Sequence, residues 1–186
     1  MNKQRELQKI AREIENCRIC QKGKIGKAVP GEGNPNAKIV FIGEAPGKTE
    51  AKWGRPFIGR SGKYFRSVLK EIGVNEKDVF ITSPVHYLPK RGTPSKEDIE
   101  HGKTYLKRQL EIINPKIIVL MGNVAVLGVL GEQIPVLKRH GRVIVRNGKK
   151  YLITFHPAYA VRFDRAKGLF KKDLGKIEKI VNKPRK

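Results

Sequence analysis

The chain has 186 residues, 39% hydrophobic and 31% charged, which suits one domain with a real core and excludes a disordered chain. Lysine and arginine number 40 against 17 acidic residues, a net charge of +23, so a polyanionic partner is expected, nucleic acid before an anionic membrane surface. No apolar run reaches the length of a membrane span and the basic start MNKQRELQK lacks an apolar signal core, so no membrane partner and a cytoplasmic location are expected.

The first predicted element is a helix over 3–16, with Leu7, Ile10 and Ile14 on one side. Cys17 and Cys20 follow as C-R-I-C. In a cytosolic chain this spacing suggests metal binding or redox chemistry before a structural disulfide. A basic loop rich in Gly, Pro and Asn covers 21–37. Residues 38–42 are apolar and rich in β-branched side chains, the pattern of a buried strand. Gly43-Glu44-Ala45-Pro46-Gly47 stops that strand and leaves Glu44 at its carboxyl end. Arg55-Pro56-Phe57 then sets an aromatic ring between glycines. Ser61 is expected to N-cap a helix over 61–72 carrying Phe65, Val68, Leu69 and Ile72. A carboxylate, a flat ring and close-approach glycines suggest a pocket for a planar ring; an ordinary βα turn with a packed Phe uses the same residues.

A second strand is predicted at 79–82, ending in Ser83-Pro84-Val85-His86 and followed by the basic loop 88–96. Helix 96–113 carries Ile99, Tyr105, Leu106, Leu110 and Ile113 on one face and stops at Asn114-Pro115. The third core strand is 117–121, and Gly122-Asn123 turns into helix 123–130. Strands at 143–145 and 151–155 flank Asn147-Gly148, a hairpin signal. The second of these ends in His156-Pro157-Ala158-Tyr159-Ala160-Val161-Arg162. A last helix, about 164–182, precedes a basic tail. Strand–helix alternation means an α/β fold, a mostly parallel sheet covered on both faces, here four-stranded, in a single domain over 1–186. Such sheets bind ligands outside the carboxyl ends of their strands, so Glu44, Ser83 and His156 should gather at one edge.

These segments together resemble family 4 uracil-DNA glycosylases, the iron–sulfur branch of the uracil-DNA glycosylase superfamily. The resemblance runs through the CxxC, V-P-G-E-G-N, F-I-G-E-A-P-G, G-R-P-F-I-G-R-S-G-K, V-F-I-T, T-P-S-K-E-D-I, Y-L-K-R-Q-L, N-P-K-I-I-V-L-M-G and H-P-A-Y-A-V-R, in order, over nearly the whole chain. It implies a three-layer α/β/α sandwich and hydrolysis of the N-glycosidic bond of uracil in DNA after base flipping, as in base excision repair. It implies Gly43 and Glu44 in a first catalytic motif and Phe57 stacked on the uracil. It implies His156 as hydrogen-bond donor to the uracil O2, and a loop from Ala158 through Tyr159 to Arg162 pressed into the DNA. The residue types suit that chemistry: Glu44 can orient a water and stabilise a sugar cation. They also have plainer uses, since His156 before Pro157 can cap a helix and Arg162 can be one more surface cation.

Two departures from the family pattern matter. Where the family places an Asn that reads the uracil edge, this chain has Ser83, which lacks the paired donor and acceptor of an amide. The family's 4Fe-4S cluster uses four cysteines; Cys17 and Cys20 match two, but Tyr87 and Gly102 stand at the others. His86 and His101 sit beside those positions. A site of Cys17, Cys20, His86 and His101 for zinc or an atypical cluster is one expectation; a decayed, metal-free site is the other. The expected protein is a monomeric enzyme acting on uracil-containing DNA with no small-molecule cofactor in its chemistry. A glycosylase for another deaminated or damaged base, and a non-catalytic nucleic-acid binder, are the alternatives.

Overall fold

The computed structural model describes residues 2–182. Helix α1 (Lys3–Glu15) buries Leu7, Ile10 and Ile14, and a short helix α2 (Arg18–Gln21) follows with Cys17 as its N-cap. The predicted loop after the cysteines contains two short strands, β1 (Lys24–Ile25) and β2 (Glu32–Gly33). Strand β3 (Ile39–Ile42) is buried throughout. A helix that the sequence did not announce, α3 (Lys48–Trp53), comes next, then α4 (Arg60–Glu71). Gly59, not Ser61, caps α4, so the predicted cap lies inside the first turn. Strand β4 (Val79–Thr82) and the short β5 (Leu88–Pro89) lead to α5 (Lys96–Ile113), which opens on a Ser95–Asp98 capping box. Strand β6 (Ile117–Met121), α6 (Asn123–Leu130) and the short α7 (Val136–Arg139) follow. Strands β7 (Val143–Arg146) and β8 (Lys149–Thr154) form the expected hairpin across Asn147-Gly148, both at positive φ, as its tight turn requires. The chain then enters α8 (Pro157–Arg162) and α9 (Asp164–Leu174).

The predicted terminal helix is two helices: α9 stops at Gly175, and α10 (Ile177–Asn182) follows. The basic tail beyond 182 lies outside the described residues.

The main sheet has six strands, not four, in the order β2-β4-β3-β6-β8-β7. The four expected strands β4, β3, β6 and β8 are its parallel centre. Two antiparallel margins complete it, the unannounced β2 beside β4 and the expected hairpin strand β7 beside β8. Sequence pattern favours a buried strand over a marginal one. β3, β4 and β6 are continuous apolar runs because helices cover both their faces. β2 is two residues, Glu32 and Gly33, with no apolar signal, and Gly33 is needed because a Cβ there would stand 2.2 Å from the Val79 carbonyl oxygen. β7 is mostly exposed, with Val145 at 64%. A separate two-stranded ribbon pairs β1 with β5.

One core runs across the sheet, including Phe41, Phe65, Leu69, Leu120 and Phe170, all at most 1% exposed. Burying each such side chain is worth about 1.5–3 kcal/mol. The central strands are held rigidly, and their carboxyl ends deliver Gly43, Ser83, Gly122 and Phe155-His156 to one margin. No helix among the described residues is long and apolar enough to cross a membrane.

Candidate active site

The carboxyl margin of the sheet opens onto a cavity of about 300 Å³, lined by Glu44, Phe57, Ser61, Thr82, Ser83, His156 and Ala158, among others. Glu44 follows directly on β3. Burial pushes its carboxyl above the usual carboxylate range. His156 follows on β8 and caps α8: its Nδ1 accepts the Ala158 N–H at 3.2 Å. An Nδ1 that accepts carries no proton, so the neutral ring holds its proton on Nε2. That atom faces Gly43; a Cβ on Gly43 would lie 3.9 Å from it. Burial lowers the His156 pKa to about 4, against a weaker opposing pull from Glu50. His156 is therefore a neutral donor around pH 7. It has both the capping use and a free donor. Gly122, at φ 94, makes room for it, since a Cβ there would stand 3.1 Å from the Cβ of His156.

Phe57 is held in a left-handed backbone conformation, φ 52, unusual for an aromatic residue and costing on the order of 1–3 kcal/mol. Three features impose it. The Glu50 Oε1 accepts the N–H groups of Ile58 at 3.0 Å and Gly59 at 2.7 Å. Arg66 donates to the carbonyls of Phe57 at 2.9 Å and Pro56 at 3.0 Å. Gly62 lies so close that a Cβ would stand 2.1 Å from the Phe57 carbonyl. The ring then rests 5.2 Å from Phe65 and 5.9 Å from His156, tilted 35° to the latter. Gly43 is the floor beneath it: a Cβ there would be 2.7 Å from the ring.

Ser83 is buried, and its hydroxyl donates to the Val85 carbonyl at 2.8 Å. Beside the cavity, the segment expected to be a loop from Ala158 to Arg162 is the helix α8. Pro157 at its first turn and the His156 cap start it, as their residue types allow. Ala158, Tyr159 and Arg162 are exposed on it. Tyr159 stacks on Phe155 at 5.2 Å and meets Phe163 at 4.6 Å, while Arg162 lies over the Phe163 ring at 5.4 Å. Exposed Lys48, Arg60, Lys90 and Arg91 adjoin cavity-lining residues in the chain.

The family model of the uracil DNA glycosylase superfamily matches residues 30–178. The chain belongs to the uracil DNA glycosylase superfamily. Relatives include a type-4 uracil-DNA glycosylase of Sulfurisphaera tokodaii, 37% identical over 97% of this chain and 87% of the relative. Another, from Thermotoga maritima, is 38% identical over 94% of this chain and 93% of the relative. A type-5 uracil-DNA glycosylase of Pyrobaculum aerophilum is 30% identical over 72% of this chain.

Away from the cavity, this superfamily member brings Cys17, Cys20 and His101 together, their ligand atoms all within 4.8 Å, an arrangement able to bind a metal. The Cys17 Sγ is 3.1 Å from the His101 Nε2 and accepts the Cys20 N–H at 3.3 Å. Burial raises the Cys17 pKa, but hydrogen bonds from Tyr105, Cys20 and His101 outweigh it and leave it at about 6. Cys20 is pushed up to about 12 by burial and by its neighbour Cys17. His86 is not in that group. Its Nδ1 lies 3.3 Å from the Val29 carbonyl and its Nε2 is buried without a hydrogen-bond partner. A four-cysteine cluster does not fit this chain. Tyr87 is packed against Ile10 and Ile14, its hydroxyl donating to the Glu15 carbonyl at 3.1 Å. A side chain of any kind at Gly102 would meet the Pro84 carbonyl at 1.7 Å.

Sequence reading in this superfamily chain missed Glu50 and Arg66, which shape the Phe57 loop. Glu50 falls in the unannounced six-residue helix α3, whose buried residue is Ala51; only its place between two glycine turns was a signal.

Proposed function

We propose that this protein is a uracil-DNA glycosylase that hydrolyses the N-glycosidic bond of a flipped uracil. The observation that carries the reading is the meeting of Glu44, Phe57, Ser83 and His156 around one small cavity. At about 300 Å³ it stands at the low end of ligand sites, suited to a single base rather than a nucleotide. The uracil stacks against Phe57, a contact of roughly 1–3 kcal/mol. As the bond to the sugar stretches, negative charge gathers on the uracil and positive charge on the sugar. His156 Nε2–H donates to the uracil O2, and Glu44 holds the attacking water and faces the sugar cation. Tyr159 and Arg162 on α8 press against the DNA, and the basic surface binds phosphates without sequence preference. Cys17, Cys20 and His101 hold a metal that organises this region and takes no part in the reaction.

A purified full chain should release uracil from DNA in a gel or chromatographic assay. Binding to every lesion without release of any base would overturn the reading in favour of a non-catalytic binder.

Gly43→Ala tests the stacking geometry. The added methyl meets the ring rather than backbone, so the fold should persist while Phe57 shifts. Excision is expected to fall about 100-fold with DNA affinity kept.

The Ser83 hydroxyl favours a wider substrate range. Its hydrogen is committed to Val85, so it offers only lone pairs to the cavity. Lone pairs can accept the lactam N–H of uracil and repel the bare ring nitrogen of cytosine. Hypoxanthine carries a like N–H. Ser83→Asn restores a paired donor and acceptor for the uracil O4 and N3–H and should raise uracil excision about fivefold, one hydrogen bond's worth. A panel of lesion oligonucleotides measures it.

A further inference from the structure

We propose that Cys17, Cys20 and His101 hold one zinc-class divalent ion, with the His86 Nε2 as fourth protein donor, at the position where a four-thiolate cluster does not fit. The inference deepens the metal part of the reading above and is independent of the excision chemistry.

The donor set is the first argument. Two thiolates and imidazoles suit zinc and tetrahedral geometry. Ligands sharing one zinc sit about 3.3–3.8 Å apart, given the usual Zn–S and Zn–N bonds. The three ligand atoms here, all within 4.8 Å, are nearly at that spacing already. Ligands of a four-iron cube bind different irons and stand further apart.

The local backbone is the second argument. Cys17 caps α2, and its Sγ accepts the Cys20 N–H at 3.3 Å. That bond orients the first thiolate and supports its charge. Both cysteines are free thiols.

His86 is the third. A ligating histidine donates its other N–H to a carbonyl or carboxylate, which fixes the bare nitrogen toward the metal. The Nδ1 of His86 faces the Val29 carbonyl at 3.3 Å, so Nε2 is the bare nitrogen. It is the buried side-chain atom left without a partner among the described residues. Cys20, His86 and His101 line one cavity of about 450 Å³. His86 stands outside the 4.8 Å group, so its ring would close on an ion held by the other three, which would then supply the missing partner. The ion would join the α1–α2 segment, α5 and the segment that begins at Ser83, tying the substrate cavity to the N-terminal region.

The test uses the full chain purified without chelators. Metal analysis should find one zinc per chain. Cobalt substitution should give the intense visible bands of tetrahedral cobalt with thiolate charge transfer. Cys17 and Cys20 should resist alkylation until a chelator is added. His101→Ala and Cys20→Ser should weaken zinc binding by at least about 100-fold, and His86→Ala by about 10–100-fold. Freely alkylated cysteines in excess zinc, a weak octahedral cobalt spectrum, or iron with inorganic sulfide would each overturn the proposal. Unchanged affinity in His86→Ala would overturn the fourth donor. Should a variant fail to fold, the cobalt spectrum and alkylation of the unaltered chain decide. Uracil release measured on the same samples fails or succeeds separately, so the two readings are distinguished.

Discussion

Glu44→Gln is expected to lower uracil excision about 10²–10⁴-fold while leaving DNA affinity within a few-fold of the parent. The substitution keeps the size of the side chain and removes its charge. Glu44 sits at the end of a rigid, fully buried strand, so little else should change. Single-turnover excision with a separate binding titration checks it, and excision at the parent rate would show that the carboxylate is not used. The pH dependence follows from burial. The carboxyl is held above the usual range, and the reaction needs the carboxylate. As pH falls through that raised value the group protonates and the rate drops. The acid limb of kcat/KM should therefore lie above the ordinary Glu value and vanish in Glu44→Gln.

His156→Ala should cost about 10²–10³ in rate, the usual loss of one preorganised donor, about 2.7–4 kcal/mol. Because the same ring caps α8, alanine also removes a cap worth about 0.5–2 kcal/mol of stability. His156→Asn separates the two. Asn is a good cap, so the melting temperature should recover while excision stays low. With its pKa near 4, His156 is already neutral at the pH where a free imidazole titrates. The His156 ring should contribute no limb near 6.5, and a limb there that persists in Glu44→Gln would mean that another histidine governs the step.

The parallel centre of the fold was legible because β3, β4 and β6 are apolar runs bounded by glycine, proline and asparagine. Of the margins, β7 showed through its Asn147-Gly148 hairpin and β2 did not. β2 is an edge by position alone, and its glycine is required by a neighbouring carbonyl far away in the chain. The convergence of Glu44, Ser83 and His156 followed from strand direction, which depends on connection length rather than on contacts. What sequence could not express was the support. Glu50 and Arg66 act through backbone groups of residues 56–59, and such bonds leave no pattern in side-chain type. The cysteine pair was visible from spacing; that His101 joins it depends on how α1 and α5 pack. The segment after His156 was expected as a loop because the resemblance implied one, yet Pro157 at a first turn is a residue type that begins a helix.

The outer margin formed by β7 has a consequence of its own. Among the described residues no strand pairs with its outer edge, and Val143 and Val145 are exposed along it. Such a ribbon invites a second molecule to add strand to strand and grow into an aggregate. Arg142 and Arg146 bracket it, and the chain carries a surplus of 23 positive charges, so like molecules repel before the edges can meet. Strong brine, which loosens the grip on a polyanion, also removes that repulsion. Colloidal stability and nucleic-acid affinity are thus two readouts of one electrostatic surplus.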